Sequence, residues 1–200
     1  QWTLAGGKTL TPETPVTLEW TSPAGLVFTR TIAVDDQFMF SVTDRVQNTS
    51  GAELRLAPYG MIARHGEPLD LQNFFVLHEG VVGRTDGELT ETKYGDIRDL
   101  PVVQREGANA EVHEATTDGW IGFTDKYWMT TLIPEQGKPF TTVEKYVASA
   151  DIYTTETRQP IMAVAPGATI ETSARVFAGA KEWATIRHYQ NDEGIAGFID

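Results

Sequence analysis

The sequence predicts an all-β, mainly antiparallel domain, and three observations carry the prediction. Alternating apolar runs recur at roughly ten-residue intervals with turn residues between them, as a sandwich or barrel requires. The 200-residue chain is 40% hydrophobic and rich in Thr, Val, Gly and Pro, a composition that suits a β fold with a sizeable core. Helical periodicity shows only at the C-terminal end.

Residues 1–15 hold two prolines and a Gly-Gly pair and read as an entry segment with one short strand at residues 2–4. Runs 16–21 and 26–34 alternate around Ser22-Pro23-Ala24-Gly25, a hairpin turn. Asp35-Asp36 turns the chain into a strand over residues 37–47. Asn48-Thr49-Ser50-Gly51 closes that strand, and residues 53–57 begin a fourth. Together these predict an antiparallel meander. Residues 59–63 continue as a strand, and His65-Gly66-Glu67-Pro68 is a loop. Residues 74–77 and 80–82 are short apolar pieces around His78. The polar stretch 83–107 predicts an edge hairpin of modest stability.

Residues 111–115 lead into the most apolar stretch of the chain, GWIGFTDKYWMTTLIP at residues 119–134. Trp120, Gly122 and Thr124 alternate with Ile121 and Phe123. Beyond Asp125-Lys126, Tyr127, Met129, Thr131 and Ile133 alternate with Trp128, Thr130 and Leu132. Apolar side chains on both sides predict a central strand covered on both faces. A buried helix is the rival, which the β-branched and aromatic residues, Gly122 and Pro134 disfavour. Further strands come at 140–147, 151–159, 161–164 and 169–176, split by turns at 136–139, 159–160 and 166–167. Residues 179–190 predict the one helix, with Trp183, Ile186, Arg187 and Gln190 on one face. Either Trp183 and Ile186 simply cap the open end of the core, or the helix also relays position to the chain beyond Asp200. No internal repeat or low-complexity tract is present.

The net charge of −12 argues against nucleic acid as a partner and disfavours adsorption to anionic lipid. Acidity of this kind keeps a domain soluble. The absence of cysteine excludes disulfides, thiolate metal sites and a cysteine nucleophile. No run of about 18 apolar residues is present to span a bilayer. Starting at Gln1 without a methionine, the chain reads as a piece excised from a longer product.

No local motif carries chemistry. The four histidines, His65, His78, His113 and His188, form no HExxH or close His-x-His pair, although a site assembled from distant histidines stays open. The acidic clusters Asp35-Asp36 and Glu88/Glu91/Asp96/Asp99 fall at turns and polar edges, and nothing in the sequence gives them the geometry of a glycosidase pair. Asp118 and Asp125 flank the central strand as turn or solvent-facing groups. A nucleophile elbow, a phosphate loop and an EF-hand are all absent. No cofactor is expected. Trp120 and Tyr127 are candidates for a sugar-binding groove, with core packing the more economical reading. Tyr127 and Trp128 are adjacent, so only one of them can line a given groove.

The 119–134 stretch, with its Gly-Trp-Ile run, Tyr-Trp pair and terminal Ile-Pro, resembles the signature of the large periplasmic domain of the YidC membrane protein insertases. Residues 77–97 (LHEGVVGRTDGELTETKYGDI) and 176–200 (VFAGAKEWATIRHYQNDEGIAGFID) resemble family segments in the same order. The resemblance implies a twisted β-supersandwich like that of galactose mutarotases, spanning residues 1–178. It implies that residues 179–200 form, within the same structural unit, a C-terminal helix and a linker towards the next membrane span. It further implies a non-catalytic domain in the periplasm of a Gram-negative bacterium, tethered to a multi-pass inner-membrane protein. The implied partners are the Sec translocon and nascent membrane proteins, and no small-molecule substrate is expected. Trp183, Ile186, Arg187, Tyr189, Ile195 and Phe198 are then the candidate positioning and interaction residues. The competing readings are a mutarotase-like enzyme or lectin, and a spacer or chaperone surface with an exposed apolar groove.

Overall fold

A computed structural model describes residues 1–69 and 78–198; the expected apolar piece at 74–77 lies outside the described residues. The chain forms β1 (Thr3–Gly6), β2 (Val16–Thr21), β3 (Leu26–Val34), β4 (Met39–Asn48), β5 (Leu54–Leu56) and β6 (Tyr59–His65). After the undescribed segment come β7 (Gly80–Thr85), β8 (Glu88–Lys93), α1 (Tyr94–Asp99), β9 (Val102–Val103), β10 (Ala108–Ala115), β11 (Gly119–Thr124) and β12 (Trp128–Pro134). Last are β13 (Phe140–Val147), β14 (Ile152–Arg158), β15 (Met162–Val164), β16 (Thr169–Ala180) and α2 (Trp183–Asn191).

Every strand pair is antiparallel. A nine-stranded sheet runs β1-β2-β3-β4-β16-β12-β11-β7-β8, a five-stranded sheet runs β6-β14-β13-β10-β9, and β15 and β5 make a small ribbon. The five-stranded sheet packs across one face of the larger sheet. There Ile121, Phe123 and Val81 meet Tyr153, Tyr94 and Ile97. The opposite face carries Trp120, Val82, Met129, Ile133 and Phe177, and α2 with the tail after it covers this face through Ile186, Tyr189, Ile195 and Phe198. Two-sided burial of residues 119–124, read from their alternation, results from these two covers. All six residues of β11 are buried.

Several expectations need correcting. Residues 119–134 are not one strand but a hairpin. β11 and β12 pair from Ile121↔Leu132 to Thr124↔Met129, and the Asp125 N–H donates to the Trp128 carbonyl at 2.9 Å. Gly122 permits this pairing, because a Cβ there would lie 1.9 Å from the Thr130 carbonyl oxygen. The hairpin leaves Tyr127 and Trp128 each 63% exposed at its tip, outside the core that their aromatic character suggested. β5 does not extend the meander. It pairs instead with β15, far downstream in the chain. The buried Asn48 amide holds that crossing by donating to the Ala52 and Val164 carbonyls, each at 2.8 Å.

The polar region contains the expected edge hairpin, β7–β8, and also the unforeseen helix α1. This single short helix buries Tyr94 and Ile97, three residues apart, against the sheets. The C-terminal helix begins later than its pattern implies, since Gly179 and Ala180 remain in the sheet opposite Met129 and Trp128. Its buried residues are Thr185, Ile186 and Tyr189. Trp183 is 63% exposed, so it does not cap the core. The burial stripe is set by the long side chains that reach Phe177 and Met39, and Trp183 starts the helix beyond the sheet edge.

Candidate functional site

The cover made by α2 and the tail is built from side chains that each contact two layers. The Trp120 indole lies edge-on to Phe198 at 5.3 Å, and its N–H donates to the Ala196 carbonyl at 3.1 Å. Phe177 meets Tyr189 and Phe198 edge-to-face, at 5.6 and 5.8 Å. The Tyr189 hydroxyl donates to both Asp35 carboxylate oxygens at 3.0 and 2.8 Å. Burial and then that bond hold the Tyr189 hydroxyl well above the usual phenol range.

Asp35 in turn accepts from the N–H groups of Gln37 and Met39. It thereby fixes a turn in which Phe38 takes φ 68°, a left-handed conformation uncommon for a bulky residue. The Ile195 N–H donates to the Tyr189 carbonyl at 3.1 Å, closing the helix end onto the tail. Tyr189, Ile195, Phe198 and Ile186 therefore converge in one apolar cluster. Arg187 and Trp183 face solvent. Beside Trp183, the Lys181 N–H donates to the Tyr127 carbonyl and the Ala178 N–H to the Phe38 carbonyl. That sheet end exposes Phe38, Tyr127, Trp128 and Trp183, each 59–63% accessible.

The expected sugar groove from Trp120 and Tyr127 does not form. Trp120 is 1% exposed beneath the tail, whereas Tyr127 sits on the hairpin tip. A different aromatic cleft lies on the half of the nine-stranded sheet built from β1 to β4, lined by Trp2, Trp20, Phe28, Leu56, Tyr59 and Ile170. Trp20 stacks on its cross-strand partner Phe28 at 5.1 Å, Trp2 tilts against Trp20 at 6.1 Å, and the Arg30 guanidinium lies 5.6 Å over the Trp2 ring. Arg30 also makes a bidentate pair with Asp44. The signal for this cleft lay in Trp20 and Phe28, which flank one hairpin turn at positions that pair directly.

Other titratable groups are accounted for structurally. Asp125 accepts from Tyr94 at 2.9 Å and Arg64 at 2.6 Å, tying the β11–β12 turn to α1 and the second sheet. Burial, reinforced by Asp125, pushes the Tyr94 hydroxyl far up. Glu106, Lys145, Glu156 and Arg158 form an ion cluster on the five-stranded sheet. The Arg158 hydrogen bonds hold Glu106 down at about 2. Glu88, Glu91, Asp96 and Asp99 are exposed, as their polar setting suggests. His78 bonds the Val81 carbonyl and His188 bonds Asp192, both at 2.7 Å. Glu144 is different. It is fully buried, its Oε1 accepts from Thr92 at 2.9 Å, and burial pushes its carboxyl up to about 7.

The order of the chain, its buried Gly-Trp-Ile strand and its docked C-terminal helix agree with a family match: the model of the YidC periplasmic domain covers residues 1–200. The chain belongs to the YidC periplasmic-domain family. It is 64% identical over 208 residues to the membrane protein insertase YidC of Cereibacter sphaeroides (strain ATCC 17029 / ATH 2.4.9), covering 100% of this chain and 33% of that protein. The YidC of Jannaschia sp. (strain CCS1) is 59% identical over 192 residues, covering 96% and 31%. The chain thus spans about a third of the length of the curated relatives it matches. As a YidC periplasmic domain it shares its fold with sugar-processing proteins. An α-galactosidase from Lactobacillus brevis superposes with a TM-score of 0.61 at 11% identity, over 95% of this chain and 28% of the other. A galactose mutarotase related enzyme from Lactobacillus acidophilus gives 0.56 at 9%, over 88% and 70%. At such identities the likeness establishes the mutarotase-like supersandwich and nothing about chemistry. No helix among the described residues is long and apolar enough to cross a membrane.

Proposed function

We propose that this chain is a non-catalytic positioning domain of a membrane protein insertase, with α2 and the tail holding the sandwich in a fixed orientation. One observation carries the reading: the C-terminal segment is itself part of the domain core. Tyr189, Ile195 and Phe198 pack on Trp120 and Phe177 of the central strands, so torque on the tail reaches the sheet without a hinge in between. The six candidate residues then divide into two roles. Ile186, Tyr189, Ile195 and Phe198 anchor. Trp183 and Arg187 face outward beside Phe38, Tyr127 and Trp128, and this aromatic edge is the surface offered to partners in the insertion machinery, the Sec translocon among them. Clients are nascent membrane proteins handled by the parent protein.

The test is an in vivo insertion assay of the full-length protein at matched expression. Ile195→Asp, which unseats the tail, should impair insertion more than deletion of the peripheral strand β1. Equal impairment would count against the positioning role.

A second reading is favoured by the aromatic cleft alone: Trp2, Trp20 and Phe28 hold apolar stretches of translocating chain, as a chaperone surface would. Tryptophan fluorescence of the isolated chain titrated with an apolar peptide should then respond, and Trp20→Ala should abolish the response. A flat titration removes this reading.

A further inference from the structure

On β10, Glu111 and His113 lie two residues apart and so project to the same side of the strand. On the neighbouring strand β13, Glu144 sits directly opposite Glu111 and Thr142 opposite His113. One ligand-capable atom from each of Glu111, His113 and Glu144 falls within 4.8 Å of the other two. Without a cation this arrangement is unfavourable in three ways. Two carboxylates face each other across a strand pair, where like charges destabilise. Glu144 Oε2 is buried and has no hydrogen-bond partner. His113 Nε2 is also buried and without a hydrogen bond, at 3.8 Å from Glu111 Oε1, too far to bond it.

We propose that Glu111, His113 and Glu144 form a binding site for a borderline divalent cation of the Zn²⁺ class. Two ligands of one such ion, each about 2.0–2.2 Å from it, can stand up to roughly 4 Å apart, which the His113–Glu111 separation of 3.8 Å satisfies. The cation places positive charge between the facing carboxylates and satisfies both orphaned atoms at once. An imidazole with two carboxylates selects zinc-like ions over Ca²⁺ and Mg²⁺, which take oxygen ligands. Thr92 of β8 orients Glu144 by donating to its other oxygen, the outer-shell support that metal carboxylates ordinarily have. The Glu111 side chain is 48% exposed, so the ion has a route from solvent and a position left for water. Because Thr92 belongs to the nine-stranded sheet and the ligands to the five-stranded one, the bound ion also clips the two layers together. The site lies apart from α2 and the tail and does not depend on the positioning role.

The test is calorimetry and thermal melting of the 200-residue chain with ZnCl₂, repeated for His113→Ala and Glu144→Gln. Circular dichroism confirms that both variants are folded; Glu144→Gln removes a buried charge and His113→Ala lies on a half-open strand, so both should be. The expected result is one Zn²⁺ per chain, a raised Tm in wild type, and affinity at least about tenfold weaker in both variants. Absence of Zn²⁺ binding to wild type overturns the proposal. So does binding that survives in either variant, which would put the ion on other surface carboxylates, and so does an equal response to Ca²⁺.

Discussion

The face of the nine-stranded sheet that bears Trp120 and the face that bears Ile121 are both dry, but they are covered in different ways. Trp120, Phe177 and Met129 lie under α2 and the tail, and this cover is mainly apolar, its polar groups being the Tyr189–Asp35 bond, the indole N–H and the hydroxyls of the buried Thr131 and Thr185. Ile121 and Phe123 lie under the second sheet, together with the polar residues Glu144, Thr142 and Thr155, which are at 0–1% exposure. The first cover is a short segment laid on late in the chain, and apolar contact suffices to hold it. The second is a sheet-on-sheet contact in which polar side chains pair across layers, as Thr92 does with Glu144 and Arg64 with Asp125. Hydrophobic burial therefore dominates on one side, and on the other it competes with the cost of leaving polar atoms unpaired.

The largest expected effect tests the apolar side. Trp120→Ala should destabilise the domain by about 3–5 kcal/mol in urea denaturation, from lost burial and the cavity beneath Phe198. A loss below about 1 kcal/mol would mean that the tail is not seated on the sheet.

The polar side should be sensitive to pH instead. The Glu144 carboxyl is raised from 4.5 to about 7 in the folded state, so between those values the folded chain holds a proton that the unfolded chain has lost. The unfavourable contribution is absent below about pH 4.5, grows as pH rises, and is complete above about pH 7. Its size is on the order of 3 kcal/mol. Metal-free Glu144→Gln should match wild type near pH 4 and exceed its stability near pH 8. Parallel pH profiles would show that Glu144 is solvated after all.

The same contrast explains what was legible in the sequence. Strands 16–21, 26–34 and 140–147 are readable to the residue, because alternation and turn residues bound them at both ends. The hairpin within 119–134 is hidden, because its turn, Asp125-Lys126-Tyr127, has no Gly or Pro and is succeeded by an aromatic that resembles core. α1 is hidden by its length: with only Tyr94 and Ile97 buried, one turn shows no period. The pairing of Leu54–Leu56 with Met162–Val164 depends on long-range register that no local pattern encodes. Glu111, His113 and Glu144 were unreadable for the same reason. Glu111-x-His113 marks one side of a strand, but only the β10–β13 register brings Glu144 to it.

Of intermediate size is the side-chain hydrogen bond that ties the apolar cover to the β3–β4 turn. Tyr189→Phe keeps the ring against Phe177 and removes the donor to Asp35. A loss of about 1–2 kcal/mol is expected, with selectively faster amide exchange at Gln37 and Met39, whose N–H groups Asp35 holds. If exchange there does not change, Asp35 shapes the turn without help from the helix.

The smallest stability effect is expected at the outer surface of the same helix. Trp183 begins α2 yet is 63% exposed, next to Tyr127 and Trp128 at 63% and Phe38 at 59%. A large aromatic that contributes to packing would cost several kcal/mol on truncation, as Trp120 should. Trp183→Ala should stay within about 0.5 kcal/mol of wild type, because little of its surface leaves water on folding. Four exposed aromatics at one sheet end have no such folding role, and in an assembly such residues are the ones that anchor contacts. Trp183→Ala in the full-length protein should therefore lower insertion while leaving the melting of the isolated chain unchanged. If stability and insertion fall together, Trp183 is a packing residue and the aromatic edge has no separate part in contact.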